Sequence, residues 1–221
     1  MGAIVEFSTK YQLNPDQYFH DGVKKRAIVL HHTISSSVES VFEWWQNDMY
    51  PDGEPRRVGT AFVIDKAGTV FQLFPPDLWC HHLGCKHPGN RAANMESIGI
   101  ELVNEGGLIP RGQKWYWFSG RAEYNGDIFH CMTNQHVLPW RGFLAFAAYP
   151  AAQIESCVDL VSQLCATFGI KRTVPADPLA YDIETLNFHG IFTHCNVRQD
   201  KTDVHAGFPW QSFSTGIKNT P

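Results

Sequence analysis

Two short apolar runs that end in histidine organise the chain: Ala27-Ile28-Val29-Leu30 before His31, and Gly190-Ile191-Phe192-Thr193 before His194. Continuous apolar runs of this length, without polar alternation, predict strands buried on both faces. Ser97-Ile98-Gly99-Ile100-Glu101-Leu102-Val103 predicts a third such strand, with a carboxylate in its middle. Residues 60–64 and 69–74 flank the turn Asp65-Lys66-Ala67-Gly68 and predict a β-hairpin. Helical periodicity appears twice. Ser36-Ser37-Val38-Glu39 predicts a capping box opening a helix whose apolar face is Val38, Val41, Phe42 and Trp45. Pro150 opens a second helix over 151–168, with Ile154, Val158, Val161, Cys165 and Phe168 on one face and Gly169 as its stop. Residues 1–26 are polar with turn signals and predict a surface wrap.

Strands alternating with helices predict an α/β fold, a central mixed β-sheet flanked by helices, in a single domain over 1–221 with its core at about 24–210. Residues 105–149 break the pattern. They are rich in glycine and aromatics (Trp115, Tyr116, Trp117, Phe118, Tyr124, Phe129, Trp140, Tyr149) and form a long insertion that either covers the sheet or lines a substrate site. Trp44 and Trp45 are read mainly as core and rim packing, with a sugar platform as the alternative.

Composition narrows the function. With 43% apolar and 18% charged residues the 221-residue chain is globular, and a formal charge of -4 gives no basic footprint for nucleic acid. No run of about 18 apolar residues offers a membrane span, and Met1 to Phe7 lack the pattern of a standard export signal. The expectation is a monomer without membrane or nucleic-acid partners, working in the cytoplasm or released from it. Six cysteines without a CxxC pair are expected to be reduced, although Cys80 and Cys85 lie close enough in sequence to bridge.

The chemistry resides where the apolar runs end. Two imidazoles and a carboxylate, His31, His194 and Asp203, are a donor set suited to Zn²⁺, and a catalytic zinc keeps a position open for water. His205 is a rival third ligand, and His32 is read as structural. Lys201 lies two residues before Asp203, on the same side of an extended segment, where its ammonium can face an oxyanion. Glu101 is costly in a buried strand unless paired or working, and suits a general base. Together these parts describe metal-assisted amide hydrolysis.

Ile28-Val29-Leu30-His31-His32-Thr33, the hairpin from Phe62 to Leu73, His82-Leu83-Gly84, Asn94 through Leu102, and His194 through Lys201-Thr202-Asp203 resemble, in order, the motifs of zinc-dependent N-acetylmuramoyl-L-alanine amidases. That family includes the anhydro-muropeptide amidase, phage lysins and peptidoglycan recognition proteins. The resemblance implies zinc ligation by His31, His194 and Asp203, catalysis by Glu101 and Lys201, and cleavage of the amide between N-acetylmuramic acid and L-alanine. It also implies substrate contact or loop support by His82 and Asn94; Thr60, a further substrate-contact candidate, stands with Ala61 where many members carry Tyr-His, so that Glu101 carries more of the proton transfer. A phage-type lysin released by a holin is the leading expectation. A muropeptide-recycling amidase and a non-catalytic peptidoglycan-binding module are the alternatives.

Overall fold

A computed structural model describes residues 5–133, 136–137 and 139–220. In chain order it contains β1 (Ala27–His32), α1 (Val38–Gln46), β2 (Phe62–Ile64), β3 (Val70–Gln72), α2 (Asn90–Glu96) and β4 (Ser97–Leu102). The segment 105–149 contributes β5 (Gly107–Arg111), β6 (Lys114–Trp117), β7 (Glu123–Tyr124), β8 (Ile128–His130), β9 (Met132–Thr133), β10 (His136–Val137) and β11 (Ala145–Ala147). The chain closes with α3 (Ala151–Phe168), β12 (Ile191–Thr193), α4 (His194–Val197) and α5 (Trp210–Asn219).

The central sheet has the order β12-β1-β4-β2-β3. β1 runs parallel to both β12 and β4, β4 runs parallel to β2, and β2 pairs antiparallel with β3. This is the expected mixed sheet with its hairpin. All six residues of β1 are buried, which is why its sequence reads as an unbroken apolar run rather than an alternation.

The pleat decides which side chains meet. Ile28 and Leu30 of β1, with Ile98, Ile100 and Leu102 of β4, join the large cluster that α1, α3 and α5 cover. Ala27 and Val29 face the other way, against Leu83, Ala93, Phe192 and Val197. Successive side chains of a strand alternate, so His31 continues the second face and His32 the first. Glu101 pairs with His31 in register and falls on the His31 face. Gly99 shares that face because a Cβ there would stand 2.7 Å from Thr60 Cγ2 and 3.4 Å from His82 Cγ.

Two helix expectations shift. The N-cap of α1 is Ser37, one residue later than the capping box requires: its hydroxyl accepts from Ser40 N at 3.2 Å, and with Ser40 at the third helical position no glutamate returns the bond. The buried stripe of α3 is Gln153, Cys157, Leu160, Val161, Leu164 and Cys165, while Ile154, Val158 and Phe168 lie at its edge. Gln153 turns inward because its amide donates to Ile64 O and Val103 O, capping two sheet carbonyls at 2.9 and 3.0 Å. Gly169 ends the helix at φ +67° as expected.

The insertion forms a second, antiparallel sheet in the order β7-β6-β5-β11-β8, with β9 and β10 paired apart from it. Leu108, Tyr124, Ala145 and Ala147 are its own small core, flanked by Trp115, Trp117 and Ile128. Its two ends meet at buried Asn104, whose amide donates to Ala147 O at 3.0 Å and whose Oδ1 accepts from Gly106 N at 2.8 Å. All six cysteines are unpaired, Cys80 and Cys85 included.

Candidate metal centre

His31 leaves the end of β1, while His194 opens α4 directly after β12 rather than extending that strand. Thr193 caps the short helix, with its side chain and Asn196 exchanging hydrogen bonds as a capping box. Asp203 is tied back by Cys195 N, which donates to Asp203 O at 2.8 Å. These three elements bring His31 Nδ1, His194 Nδ1 and Asp203 Oδ2 to within 3.0–3.1 Å of one another, and all three residues are buried.

The outer ring nitrogens settle what those atoms offer. His194 Nε2 lies 2.7 Å from Leu83 O, a carbonyl that only accepts, so Nε2 carries the proton. On the His31 side the Ser97 hydroxyl donates to Ala93 O, so its oxygen accepts from His82 Nε2 at 3.0 Å. His82 Nδ1 is then the acceptor for His31 Nε2–H, at 3.0 Å. In the neutral rings both Nδ1 atoms therefore present lone pairs towards a carboxylate oxygen. For His31 and His82 burial favours the neutral form, pushing His31 down to about 4 and His82 well below its ordinary value.

Three acceptors facing one another call for a cation between them. Two imidazole nitrogens and one carboxylate oxygen suit zinc, whose tetrahedral ligands at about 2.0–2.1 Å stand about 3.3 Å apart. The spacing in this chain is a few tenths of an ångström tighter, a shift that side-chain rotation supplies. The donor set fits the ion.

A cavity of about 180 Å³ opens on this trio. Glu101 and Lys201 line it. Glu101 is half-buried, but its Oε2 is sealed from solvent and has no hydrogen-bond partner among the described residues. Burial, then the nearby Asp203 carboxylate, push its carboxyl well above the usual range, and the Lys201 ammonium pulls the other way. An unpartnered, destabilised carboxylate has its proton affinity raised towards that of a general base. Trp44, 59% exposed, and Ile34, 40% exposed, give the opposite lip an apolar surface, while Trp45 is core. Of the described residues lining the cavity, none belongs to 105–149.

The remaining sequence-derived residues fall into supporting places. Asn94 is fully buried: its Oδ1 accepts from His82 N and Leu83 N at 2.8 and 3.1 Å, and its amide donates to Asn90 O. It shapes the loop that presents His82 and the Leu83 carbonyl, leaving no polar atom for a substrate. Thr60 lines the cavity, but its hydroxyl donates to Phe62 O at 3.0 Å and the residue is 1% exposed. His82 spends both nitrogens on His31 and Ser97. His205 is no third ligand, because its Nε2 donates to Ala147 O and its Nδ1 accepts from Gly207 N, each at 3.0 Å. His32 Nδ1 meets Tyr149 Oη at 3.0 Å on the far face of β1. Ser97 went unread in the sequence; the only trace of it there is a hydroxyl at the foot of a strand that is otherwise apolar up to Glu101.

Residues 21–209 match the family described as N-acetylmuramoyl-L-alanine amidase, and the chain belongs to that family. No curated protein matches the sequence. Among solved structures the fold is similar to that of PlyL, at 17% identity over 98% of this chain and 99% of that one, with a TM-score of 0.56. It is similar to the E. coli N-acetylmuramyl-L-alanine amidase AmiD, solved with anhydro-N-acetylmuramic acid-L-Ala-D-gamma-Glu-L-Lys, at 18% identity over 89% of this chain and 59% of that one, with a TM-score of 0.53. The endolysin LysCS from Clostridium intestinale is 15% identical over 99% and 97% of the two chains, with a TM-score of 0.53. At these identities the likeness is one of fold, and the family is the one the ordered motifs resemble.

Proposed function

We propose that this chain hydrolyses the amide between the lactyl group of N-acetylmuramic acid and the L-alanine of the stem peptide, with a zinc ion held by His31, His194 and Asp203. The observation that carries the reading is the convergence of three buried acceptor atoms on a cavity that Glu101, with one buried carboxylate oxygen lacking any partner among the described residues, also lines. A non-catalytic binder needs neither. Bound there, zinc supplies Lewis acidity and a lowered pKa for water.

The chain's own groups do the rest. Glu101 takes the proton of the attacking water on its carboxylate and returns it to the leaving amide nitrogen, so that the amine departs neutral. Lys201 places a positive charge where the carbonyl oxygen becomes an oxyanion. His82 and Ser97 hold the His31 ring in the tautomer that ligates, and Trp44 with Ile34 offers an apolar platform beside the scissile bond for a sugar ring.

The role we assign is that of a phage-type lysin acting on intact peptidoglycan after release to the wall, working as a monomer. Two features support it: the likeness over nearly full length to the folds of endolysins, and a segment 105–149 that leaves Phe118 47% exposed near its other aromatics as a surface for the wall polymer. The test compares turbidity loss of purified peptidoglycan with hydrolysis of a soluble anhydro-muropeptide. Clearing of the wall is expected. Cleavage confined to the soluble fragment would assign a recycling role instead. Glu101→Gln is expected to bind one zinc and lose about 10²–10⁴-fold in kcat; full activity in that variant, or absence of stoichiometric zinc in the parent, overturns the mechanism.

A further inference from the structure

Arg141 sits in the insertion yet reaches the loop that follows α4. Its Nη1 donates to Arg198 O at 2.8 Å, to Gln199 O at 2.9 Å and to Lys201 O, and its Nη2 donates to Cys195 O at 2.9 Å. Four carbonyls from 195–201 thus converge on one guanidinium, which carries five N–H donors in a rigid fork and no acceptor. The loop's own bonds to these carbonyls are sparse: Lys201 N donates to Arg198 O at 3.4 Å.

The backbone is shaped to deliver that side chain. Trp140 and Phe143 exchange both backbone hydrogen bonds, at 2.9 and 3.1 Å, around the two-residue turn Arg141-Gly142. Arg141 has φ +47° and Gly142 φ +90°, the pattern of a tight hairpin turn that favours Asn-Gly. A long side chain in the left-handed region is uncommon and needs surrounding contacts to hold it. The four carbonyls supply them, and the guanidinium also lies over the Trp140 ring at 5.2 Å.

The insertion grips the same loop a second time. Phe146 stacks on His205 with ring centres 4.4 Å apart, and Ala147 O accepts from His205 Nε2. Lys201 and Asp203 lie between these two holds. We infer that the insertion braces the Lys201–Asp203 loop, with Arg141 as the positioning residue that fixes the Lys201 ammonium and the Asp203 carboxylate relative to His31. This rests on the proposed amidase site, but one of its readouts does not.

The experiment uses the full chain loaded with zinc, comparing the parent with Arg141→Lys and Arg141→Ala. Amide hydrogen exchange at Lys201, Thr202 and Asp203 is expected to accelerate by about tenfold or more in both variants, with β1 and β4 unchanged. The kcat for the soluble muropeptide is expected to fall by about 10–100-fold with KM within threefold, zinc to be lost more readily to a chelator, and added methylguanidinium to restore part of the rate in Arg141→Ala. Lysine cannot fork to four carbonyls, so Arg141→Lys is expected to behave like alanine. Unchanged exchange in the loop with unchanged kcat overturns the inference. So does a rise in KM alone, which would make Arg141 a substrate contact, or a lowered thermal midpoint with kcat per folded molecule intact. If the parent shows no amidase activity, the proposed function fails while the exchange comparison still decides the brace.

Discussion

β1 sends two adjacent histidines to opposite faces of one sheet, and each joins a buried cluster of rings. On one face His31 meets His194, His82 and Asp203; on the other His32 meets Tyr149 and His205. Burial and residue type barely distinguish them. Hydrogen bonding does: both nitrogens of His205 have partners, and His32 has Tyr149 Oη at 3.0 Å and Thr202 Oγ1 at 3.4 Å. On the His31 face two Nδ1 lone pairs and a carboxylate oxygen point at each other. A buried histidine cluster is therefore read as a metal site by what its lone pairs lack, not by how many rings it gathers.

Four measurements would break or sharpen that contrast. His31→Ala removes one of the three proposed ligands and is expected to abolish both stoichiometric zinc and hydrolysis, read by metal analysis and muropeptide turnover. Retained zinc would mean the wrong cluster had been chosen. On the opposite face burial lowers His32 from 6.5 to about 4. The unfolded chain takes up the proton near pH 6.5 and the folded chain only near pH 4, so His32 lets stability fall as pH drops through that window, by about 3 kcal/mol at most. Urea unfolding of the chelated parent against His32→Gln at pH 7 and pH 4.5 reads the difference, and the variant's curve is expected to be flatter.

His82→Ala is expected to weaken zinc binding by about 10–100-fold in a chelator competition, because His31 loses the acceptor that fixes its tautomer. Excess zinc should then restore much of kcat; a rise in KM instead would return His82 to the substrate groove. The smallest effect belongs to His205→Phe. It keeps the stack on Phe146 and gives up two hydrogen bonds, about 1 kcal/mol each by thermal or urea unfolding, with zinc content unchanged. Loss of zinc in that variant would revive His205 as a ligand.

How much of this was legible in the sequence follows from the range of the forces involved. β1, β4, the hairpin and α3 announce themselves because burial on two faces, a glycine-containing turn and a Pro/Gly-bounded period are local patterns. His31, Glu101 and His194 were legible because parallel strands end at one edge, so residues at or near the ends of their apolar runs meet; Asp203, in the loop after α4, was legible through its donor type and the motif it shares with His194. The rotation of α3 was not, since it is set by Gln153 finding two carbonyls far away in sequence. The second sheet hid behind strands of two to five residues: β5, β6 and β7 form short local hairpins, but the pairing of β11 with β5 that closes the sheet spans most of the insertion. The parts of Asn94 and Arg141 are decided by hydrogen bonds to backbone carbonyls and amides, and that of His82 by side chains distant in sequence, none of which leaves a mark on residue type.

Asn104 joins the two ends of the insertion within one side chain's reach. A loop whose ends already touch needs little chain entropy to close, so a segment can be spliced in or cut out there while β4 and α3 stay where they are. That makes the second sheet a unit that can be exchanged in redesign. It also sets a limit on grafting: a transplanted insertion must bring a guanidinium to the carbonyls of residues 195–201, or the loop that carries Lys201 and Asp203 goes without its brace.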